Sequence, residues 1–325
     1  MTSKYFAELV DNLPDLKGKV VAITGTTSGT GFVAARVAAE KNATVLLLNR
    51  PSERAVNSLE SLKQAVPQGS FEAIDCDLSD FDSVLECAEK IRSNYDALYV
   101  LINNAGIMAV ADKATKQGYD QQMQVNTLSP FLLTRELFPL LEKGAGRFGE
   151  ARVVNHSSIA RLYQSFDRKY YEKNGGNLGG DFAFMMLGAR WTRYKQSKLG
   201  NCLFTYAMKE RLDKQGSKVK SMVAHPGAAK TNLINTTAKD GGAGSLDTKM
   251  VSWFGQTSED GAMGIIKCAF LPDVPSGAFL GPKRCISYLA TTGEAVPLKP
   301  EKNLTKESSL RDFWEACEAA CGDFL

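Results

Sequence analysis

Near the start of the chain stands Val20-Val21-Ala22-Ile23-Thr24-Gly25-Thr26-Thr27-Ser28-Gly29-Thr30-Gly31, where a short strand-forming run enters a glycine-rich turn and an apolar helical pattern. Glycines let such a turn tighten, and a helix N-terminus offers free N–H groups and a favourable dipole to an anion. The spacing is Gly-x-x-x-Gly-x-Gly, whereas the commoner dinucleotide fingerprint is Gly-x-Gly-x-x-Gly. We therefore predict a dinucleotide site here, with a plain loop as the alternative. The expected contacts are Gly25, Thr27, Ser28, Thr30 and Gly31.

The same alternation of short apolar runs and longer helical patterns continues along the chain. Strands are predicted at 20–24, 44–48, 71–74, 97–102, 152–156 and 219–224, with a weaker one at 278–280. Helices are predicted to start near residues 29, 52, 80, 118, 191 and 258. Most strands are apolar throughout, which is typical of strands covered on both faces. The pattern predicts an α/β fold with a doubly wound parallel sheet, in a single domain over residues 1–325.

Composition narrows the class of protein. The 325 residues carry a net charge of +3, with 44% hydrophobic and 23% charged residues, as in ordinary globular proteins. There is no basic run for nucleic acid, no apolar run of about 18 residues for a membrane span, and residues 1–19 do not resemble a secretory signal. Seven scattered cysteines without a Cys-x-x-Cys pair indicate reduced thiols and no metal site. We expect a cytoplasmic protein.

Residues after the second, third and fourth strands indicate which dinucleotide binds. An NAD site places an acid after strand two, whereas an arginine accommodates a 2′-phosphate. Asn49 is neutral and Arg50 cationic, so NADP(H) is predicted, unless Arg50 is only a solvated residue of a basic loop. Asp77, followed by Leu78, either accepts a hydrogen bond from the adenine amino group or caps the next helix. The run from Asn103 through Ala105 either lines the adenosine side or ties adjacent strands together.

Tyr194 is the only tyrosine with a lysine four residues later, at Lys198. On a helix this spacing puts the phenol and the ammonium about one turn apart on the same face. A nearby cation favours the phenolate, which predicts a phenol pKa below the free value of about 10 and an acid–base group usable near neutral pH. The plainer alternative is a solvated helix face.

The motifs form an ordered set. In sequence they are Thr-Gly-x-x-x-Gly-x-Gly at 24–31, Asp77, Asn-Asn-Ala-Gly at 103–106, Asn126, Ser157-Ser158, Tyr-x-x-x-Lys at 194–198, and Pro226-Gly227 with Thr231. Together they resemble the short-chain dehydrogenase/reductase family, over roughly residues 16–289. The chain is most similar to the retinol-dehydrogenase-like and WW-domain-oxidoreductase-like members.

The resemblance implies a Rossmann-like domain of about seven parallel strands and hydride transfer between a nicotinamide cofactor and an alcohol or carbonyl. It implies that Tyr194 is the general acid/base, that Lys198 holds the nicotinamide ribose, and that Ser158 binds the substrate oxygen, with Ser157 as its rival. Asn126 would support a water linked to Lys198. Contacts to the adenosine half are implied for Asn103, Asp77 and Arg50, and contacts near the nicotinamide for Pro226, Gly227 and Thr231.

Two departures from the family pattern stand out. Ser158 and Tyr194 are separated by a long insertion at 161–190, whose aromatic and methionine residues either roof a site for a lipophilic substrate or pack the insertion onto the domain. Thr30 replaces the usual aliphatic residue of the glycine motif, which we expect to do little harm. The loop at 231–250 is a candidate lid.

Three further expectations concern partners and function. Leu310, Phe313, Trp314 and Cys317 share one face of a helix near 308–321, which docks on the domain, meets a second subunit or touches a membrane. A homo-oligomer is possible. The alternative functions are a non-catalytic dinucleotide-binding interaction or sensor protein, and a reductase of an activated carbon–carbon double bond.

Overall fold

The computed structural model describes residues 4–229, 237–238, 240–242, 244, 255–285 and 291–325. Its centre is one eight-stranded sheet with the order β3-β2-β1-β4-β5-β6-β7-β8. The strands are β1 Val20–Thr24, β2 Thr44–Asn49, β3 Ser70–Asp75, β4 Val100–Asn103, β5 Ala151–His156, β6 Val219–Ala224, β7 Phe279–Cys285 and β8 Thr291–Pro297. Strands β1 to β7 are parallel, and β8 runs antiparallel to β7.

Helices cover both faces of the sheet. They are α1 Lys4–Asp11, α2 Gly29–Glu40, α3 Glu53–Ala65, α4 Phe81–Asn94, α5 Ser129–Phe148, α6 Ala189–Gln215, α7 Ser258–Phe270 and α8 Glu307–Cys321. Buried residues of α1, α2 and α7 form one apolar layer with the sheet, and those of α4, α5, α6 and α8 form the other. The prediction of an α/β fold with a doubly wound parallel sheet is confirmed for β1 to β7.

The sheet contains one strand that the sequence did not predict. Strand β8 reads Thr-Thr-Gly-Glu-Ala-Val-Pro, and its glycine and proline are typical of a loop. It pairs at the edge of the sheet, where a proline needs no partner for the N–H that it lacks, and Gly293 has a φ of 103°. The parallel part of the sheet has seven strands, and β8 adds an antiparallel eighth.

The strand order reverses between β1 and β4, which are adjacent although two strands separate them in sequence. In open α/β sheets a crevice forms at such a point, beyond the carboxyl ends of the strands. The glycine-rich turn follows β1 there, and residues 104–107 follow β4. The topology therefore predicts a ligand-binding site at this end of the sheet.

Helix α5 approaches the sheet closely through Gly144. A Cβ atom built on Gly144 would lie 2.0 Å from the carbonyl oxygen of Leu98, just before β4. The same backbone stretch is bonded to the helix, because Leu98 N donates to Leu140 O at 3.0 Å. Gly146 lies two residues further along the helix, and a Cβ atom built on it would have no other atom within 4 Å. Only the first of these two glycines is required by packing.

Helix α8 is packed against the body of the protein. Its face of Leu310, Phe313, Trp314 and Cys317 is buried in the layer that contains α5 and α6. Trp314 makes an edge contact with Phe131 of α5, with ring centres 4.9 Å apart. Docking on the domain, one of the three roles considered for this face, is the role observed.

Candidate active site

A cavity of about 370 Å³ lies at the reversal point of the sheet. Arg50 and Arg54 line one part of it, and Ser158, Tyr194 and Lys198 line another. The remaining walls come from the turn after β1 and from the residues that follow β3, β4, β5 and β6. A single elongated cavity thus joins the predicted adenosine, pyrophosphate and reaction sites.

The glycine-rich turn is shaped for close approach. Gly25 has a φ of 72°, and a Cβ there would lie 2.8 Å from Ala105 Cα. A Cβ on Gly31 would lie 2.3 Å from Gly25 O, so Gly31 packs the helix against the turn instead of lining the cavity. Ser28 precedes α2 without capping it through its side chain, which leaves the first N–H groups of the helix for a ligand. These features fit a pyrophosphate.

Two guanidinium groups line the cavity beside the end of β2. Arg50 follows β2, and Arg54 Nη2 lies 3.5 Å from Thr27 Oγ1 and 3.4 Å from Ser28 Oγ. Asn49 is buried and bonded to the turn, since its Oδ1 accepts from Thr26 N at 2.8 Å. The last residue of β2 is therefore neutral and already hydrogen-bonded, and the charge beside it is positive.

Asn104, and not Asn103, faces the cavity after β4. Asn103 Nδ2 donates to Thr134 Oγ1 at 3.1 Å and to Asn155 Oδ1 at 3.0 Å, so this side chain ties β4 to β5 and α5. Asn104 Nδ2 donates to Gly25 O at 3.0 Å, and its Oδ1 accepts from Thr30 Oγ1 at 2.8 Å. Successive side chains of a strand point to opposite faces, and this alternation is the signal that could have identified Asn104.

The hydroxyl of Thr30 has a role that an aliphatic residue could not fill. It binds Asn104, whose Oδ1 also lies 2.9 Å from His156 Nδ1. The turn after β1, the end of β4 and the end of β5 are therefore joined through one side chain. The threonine at position 30, where the family motif usually has an aliphatic residue, therefore adds a hydrogen bond.

Asp77 and Leu78 both line the cavity after β3. Asp77 Oδ1 accepts hydrogen bonds from Ser79 N at 2.9 Å and from Ser79 Oγ at 2.7 Å. Asp80 is the residue that caps α4, since its carboxylate accepts from Asp82 N. Asp77 therefore orders the turn before α4 while remaining at the cavity wall.

Tyr194 lies in the first half of α6 and is 4% exposed. Burial raises its pKa to about 12, and the Ser158 hydroxyl opposes this shift only in part. The direction is opposite to the one predicted from the Tyr-x-x-x-Lys spacing. The spacing places Lys198 on the same side of the helix, with Nζ 6.0 Å from the centre of the phenol ring, but desolvation has the largest effect on the phenol pKa.

Lys198 is also buried, and burial lowers its pKa to about 8. Its Nζ donates to His156 O at 2.9 Å, which fixes the ammonium beside β5. Asn126 does not line the cavity but stands next to this group: a Cβ on Gly106 would lie 3.2 Å from both Lys198 Nζ and Asn126 Oδ1.

Asn126 sits in a π-helical segment, Gln124–Leu128, that precedes α5. Its amide binds both polar groups of Ile107 main chain, with Oδ1 accepting from N at 2.8 Å and Nδ2 donating to O at 2.9 Å. Its own carbonyl accepts from Asn201 Nδ2 at 2.8 Å. Asn126 therefore joins the loop after β4 to α6. Segments of this kind inside helices are frequent at functional sites.

The two serines after β5 differ in their hydrogen bonds. Ser157 is buried, and its hydroxyl donates to Lys198 O at 2.7 Å. Ser158 is half-buried and lines the cavity, where its Oγ accepts from Ala160 N at 3.2 Å and its hydroxyl lies within hydrogen-bonding reach of Tyr194. The geometry favours Ser158 as the substrate-binding serine.

The two histidines have backbone and packing roles. Burial lowers the pKa of His156 to about 3 and that of His225 well below its usual value. His225 Nδ1 accepts from Gly227 N at 3.1 Å, and so orders the turn after β6. Both side chains are neutral at physiological pH, and the Nε2 atom of His156 is buried without a hydrogen-bond partner among the described residues.

The apolar and aromatic side chains of the insertion at 161–190 lie in three different environments. Phe166, Tyr170 and Tyr171 belong to the apolar layer with α8. Ala183 and Met186 pack against the cluster that contains Tyr194. The outward-facing group is Tyr163, Phe182, Phe184, Met185 and Leu187, each more than half exposed. Packing of the insertion onto the domain is therefore observed for part of these residues, and none of them lines the cavity.

Most of the predicted site residues come together. Those on the cavity wall are Gly25, Thr27, Ser28, Thr30, Arg50, Asp77, Leu78, Ala105, Ser158, Tyr194, Lys198 and Pro226. Gly31, Asn103, Asn126 and Gly227 lie behind it, and Thr231 is outside the described residues. Asn104, within the run 103–105 for which this role was one alternative, lines the cavity, and so do Arg54 and Thr237, which were not predicted as contacts.

In the parts of the chain that the structure describes, no helix combines the length and apolar content needed to cross a bilayer. No group of three His, Cys, Asp or Glu side chains in those same ranges could hold a metal ion.

Comparison with known proteins identifies similar chains. A family model described as short chain dehydrogenase matches residues 19–172. An uncharacterized oxidoreductase of Schizosaccharomyces pombe is 35% identical over 225 residues, which are 69% of this chain and 64% of that relative. The chloroplastic short-chain dehydrogenase TIC 32 A of Brassica napus is 32% identical over 76% of this chain and 74% of its own length.

Solved structures show the same architecture. An uncharacterized protein of Mycobacterium paratuberculosis superimposes with a TM-score of 0.72 at 28% identity, over 96% of each chain. Structures at 20% identity and TM-scores of 0.60 share the fold, and among them are complexes with NADH and with NADP.

Proposed function

The chain belongs to the short-chain dehydrogenase/reductase family of oxidoreductases, and we propose that it transfers hydride between NADP(H) and an alcohol or carbonyl compound of lipophilic character. One observation carries the proposal. The same cavity is lined by Arg50 and Arg54 and by Ser158, Tyr194 and Lys198, so a dinucleotide along it would bring its nicotinamide to the acid–base group. The fit of the glycine turn to a pyrophosphate supports this orientation.

In the mechanism that we propose, the bound nicotinamide supplies the hydride that reaches the carbonyl carbon. Tyr194 donates its phenolic proton to the carbonyl oxygen, and Ser158 Oγ donates a hydrogen bond to the same oxygen. A phenol with a pKa of about 12 is protonated at neutral pH and ready for this step. As the phenolate forms, the buried ammonium of Lys198 stabilises its charge. Asn126 holds the loop and helix that flank Lys198.

Because the pKa of Tyr194 is about 12, we expect the rates of alcohol oxidation and of carbonyl reduction to depend differently on pH. Alcohol oxidation needs the phenolate of Tyr194, whose fraction rises about tenfold per pH unit below the pKa. We expect the oxidation rate with NADP⁺ to increase from about pH 7 to about pH 8, the pKa above which Lys198 loses its charge, whereas carbonyl reduction with NADPH does not increase. Steady-state rates in both directions across this range measure it. An oxidation profile that is already level at pH 7 would show that the phenol ionises near neutrality in the working enzyme.

The preference for the phosphorylated cofactor is tested at Arg50. We expect Arg50→Ala to weaken NADPH binding by about 10- to 100-fold, since a charge-assisted contact contributes about 1.5–3 kcal/mol, while NADH binding is unchanged. Fluorescence titration with each nucleotide measures Kd. Arg311→Ala, which removes the same charge from the exposed face of α8, is the control. Equal losses for both nucleotides would contradict the 2′-phosphate assignment.

We also propose a reducing compartment such as the cytoplasm, because six of the seven cysteines are free and buried. The lipophilic substrate class is supported by Ala183 and Met186, which pack against the apolar cluster that contains Trp191 and Tyr194. Turnover of a panel of aldehydes, ketones and secondary alcohols, with product analysis, tests the reaction class. Reduction of a carbon–carbon double bond alone, or nucleotide binding without any turnover, would refute it.

A further inference from the structure

The first turns of α6 connect three segments around Tyr194. Trp191 Nε1 donates to Gly242 O at 2.9 Å, and Arg190 Nε donates to Asp181 O at 3.0 Å. Arg193, immediately before Tyr194, is fully buried. Arg193 makes several further contacts to these segments, although it belongs to none of the motifs identified in the sequence.

The guanidinium of Arg193 binds backbone carbonyls of two segments. Nη1 donates to Gly180 O at 2.9 Å and to Leu178 O at 3.3 Å, both in the insertion. Nη2 donates to Val110 O at 3.2 Å, in the connection that follows β4. A planar group with several fixed donors suits such divergent acceptors, and a lysine ammonium does not.

Asp112 binds the N–H groups of the same two insertion residues whose carbonyl groups Arg193 binds. Its Oδ2 accepts from Leu178 N at 2.9 Å and from Gly180 N at 2.8 Å, and lies 3.5 Å from Arg193 Nη1. The amide and carbonyl groups of the same two residues are thus bound by the two halves of one ion pair. Asp112 N in turn donates to Asp181 Oδ1 at 2.6 Å.

A second buried carboxylate, that of Asp120, links Arg193 to the short helical segment Gln121–Met123. Asp120 Oδ2 lies 3.1 Å from Arg193 Nε, and Asp120 Oδ1 accepts from Gln122 N and Met123 N at 3.0 Å each. Burial raises the pKa of Asp120 to about 6 despite the guanidinium beside it. Burying these charges costs free energy, so the cluster is poorly explained as a simple source of stability.

The segment that Arg193 and Asp112 bind continues into a hairpin at residues 184–187. Phe184 and Leu187 exchange backbone hydrogen bonds of 3.1 and 2.8 Å, and the two residues between them, Met185 and Met186, both have positive φ. Met186 packs against the cluster of Trp191 and Tyr194, while Phe184 is 62% exposed. Met186 therefore packs inwards against the cluster that contains the acid–base residue, and Phe184 is largely exposed to solvent.

We propose that Arg193 and Asp112 are positioning residues that hold 178–187 over the substrate end of the site, and that Met186 is the specificity-determining contact which they place there. This inference rests on the proposed function. It assigns to the insertion a fixed role in substrate binding, through residues that contact neither substrate nor cofactor.

Hydrogen exchange tests the positioning without any substrate. Arg193→Lys keeps the charge and Asp112→Asn keeps an acceptor, so both are milder than truncation. We expect faster exchange of amides in 178–187 in each variant, with unchanged exchange in β1 and α2 and a retained NADPH Kd. Unchanged exchange in 178–187 would overturn the proposal. Faster exchange throughout the protein would assign Arg193 to general stability and would overturn it as well.

Kinetics test the specificity. With decanal and 4-nitrobenzaldehyde as probes, we expect Arg193→Lys and Met186→Ala each to raise KM by about tenfold with little change in kcat. Phe184→Ala, on the outer side of the same hairpin, is the matched control and should leave KM unchanged. A fall in kcat at constant KM would overturn the assignment. If the unaltered protein reduces neither probe nor any carbonyl of the panel, the proposed function fails, and hydrogen exchange still decides the positioning.

Discussion

Tyr194→Phe is expected to lower the turnover of carbonyl reduction by about 10²- to 10⁴-fold, which is the usual contribution of general acid–base catalysis. The substitution removes only the hydroxyl that gives its proton to the substrate. The ring that remains keeps its edge contact with Trp191, whose centre lies 5.9 Å away. We therefore expect NADPH binding and thermal stability to stay close to those of the unaltered protein. Single-turnover rates and a fluorescence titration measure the two quantities separately.

Helix α6 provides a matched control for this experiment. Tyr206 is buried, and its hydroxyl has no hydrogen-bond partner in the structure's described ranges. Tyr206→Phe therefore makes the same chemical change in the same helix, away from the cavity wall. Its turnover should match that of the unaltered protein. Retention of most activity in Tyr194→Phe, or an equal loss in both variants, would remove Tyr194 from the mechanism.

Gly144→Ala is expected to destabilise the protein by about 3 kcal/mol, at the upper end of the usual cost of overpacking. The new methyl group would meet the carbonyl oxygen of Leu98 at 2.0 Å, and a backbone atom cannot move aside as a flexible side chain can. Helix α5 would have to shift away from the start of β4. Chemical denaturation with a linear extrapolation measures the loss.

Gly146→Ala in the same helix should change stability in the other direction. A Cβ there meets nothing within 4 Å, so the higher helix propensity of alanine acts alone and should stabilise by about 0.5–1 kcal/mol. Two identical substitutions two residues apart thus have opposite expected signs. A similar effect of both would mean that α5 does not approach the sheet as described.

The fold was predictable because its signals are local. Apolar runs such as those of β1 and β5 indicate strands covered on both faces, and the glycine turn after β1 locates the crevice. Strand β8 lacks such a signal, because its pairing with β7 depends on the edge of an already formed sheet. Edge pairing tolerates the glycine and proline that would argue against a central strand.

The site was predictable as a set of residues and less so in its electrostatics. The spacing of Tyr194 and Lys198 fixes their common helix face, but it contains no information on burial, which reverses the expected shift in the phenol pKa. Arg193 and Asp112 escaped prediction for a related reason. Their importance comes from backbone groups of the insertion that only the folded chain brings within reach.

The antiparallel strand β8 has a consequence for self-association. Without it, β7 would present a free row of backbone donors and acceptors, the usual template for uncontrolled growth of a sheet from one molecule to the next. Strand β8 covers that row and ends in Pro297, which has no N–H to offer. At the opposite border, β3 carries the charged Glu72 and Asp75. Both borders thus bear features that discourage edge-to-edge aggregation.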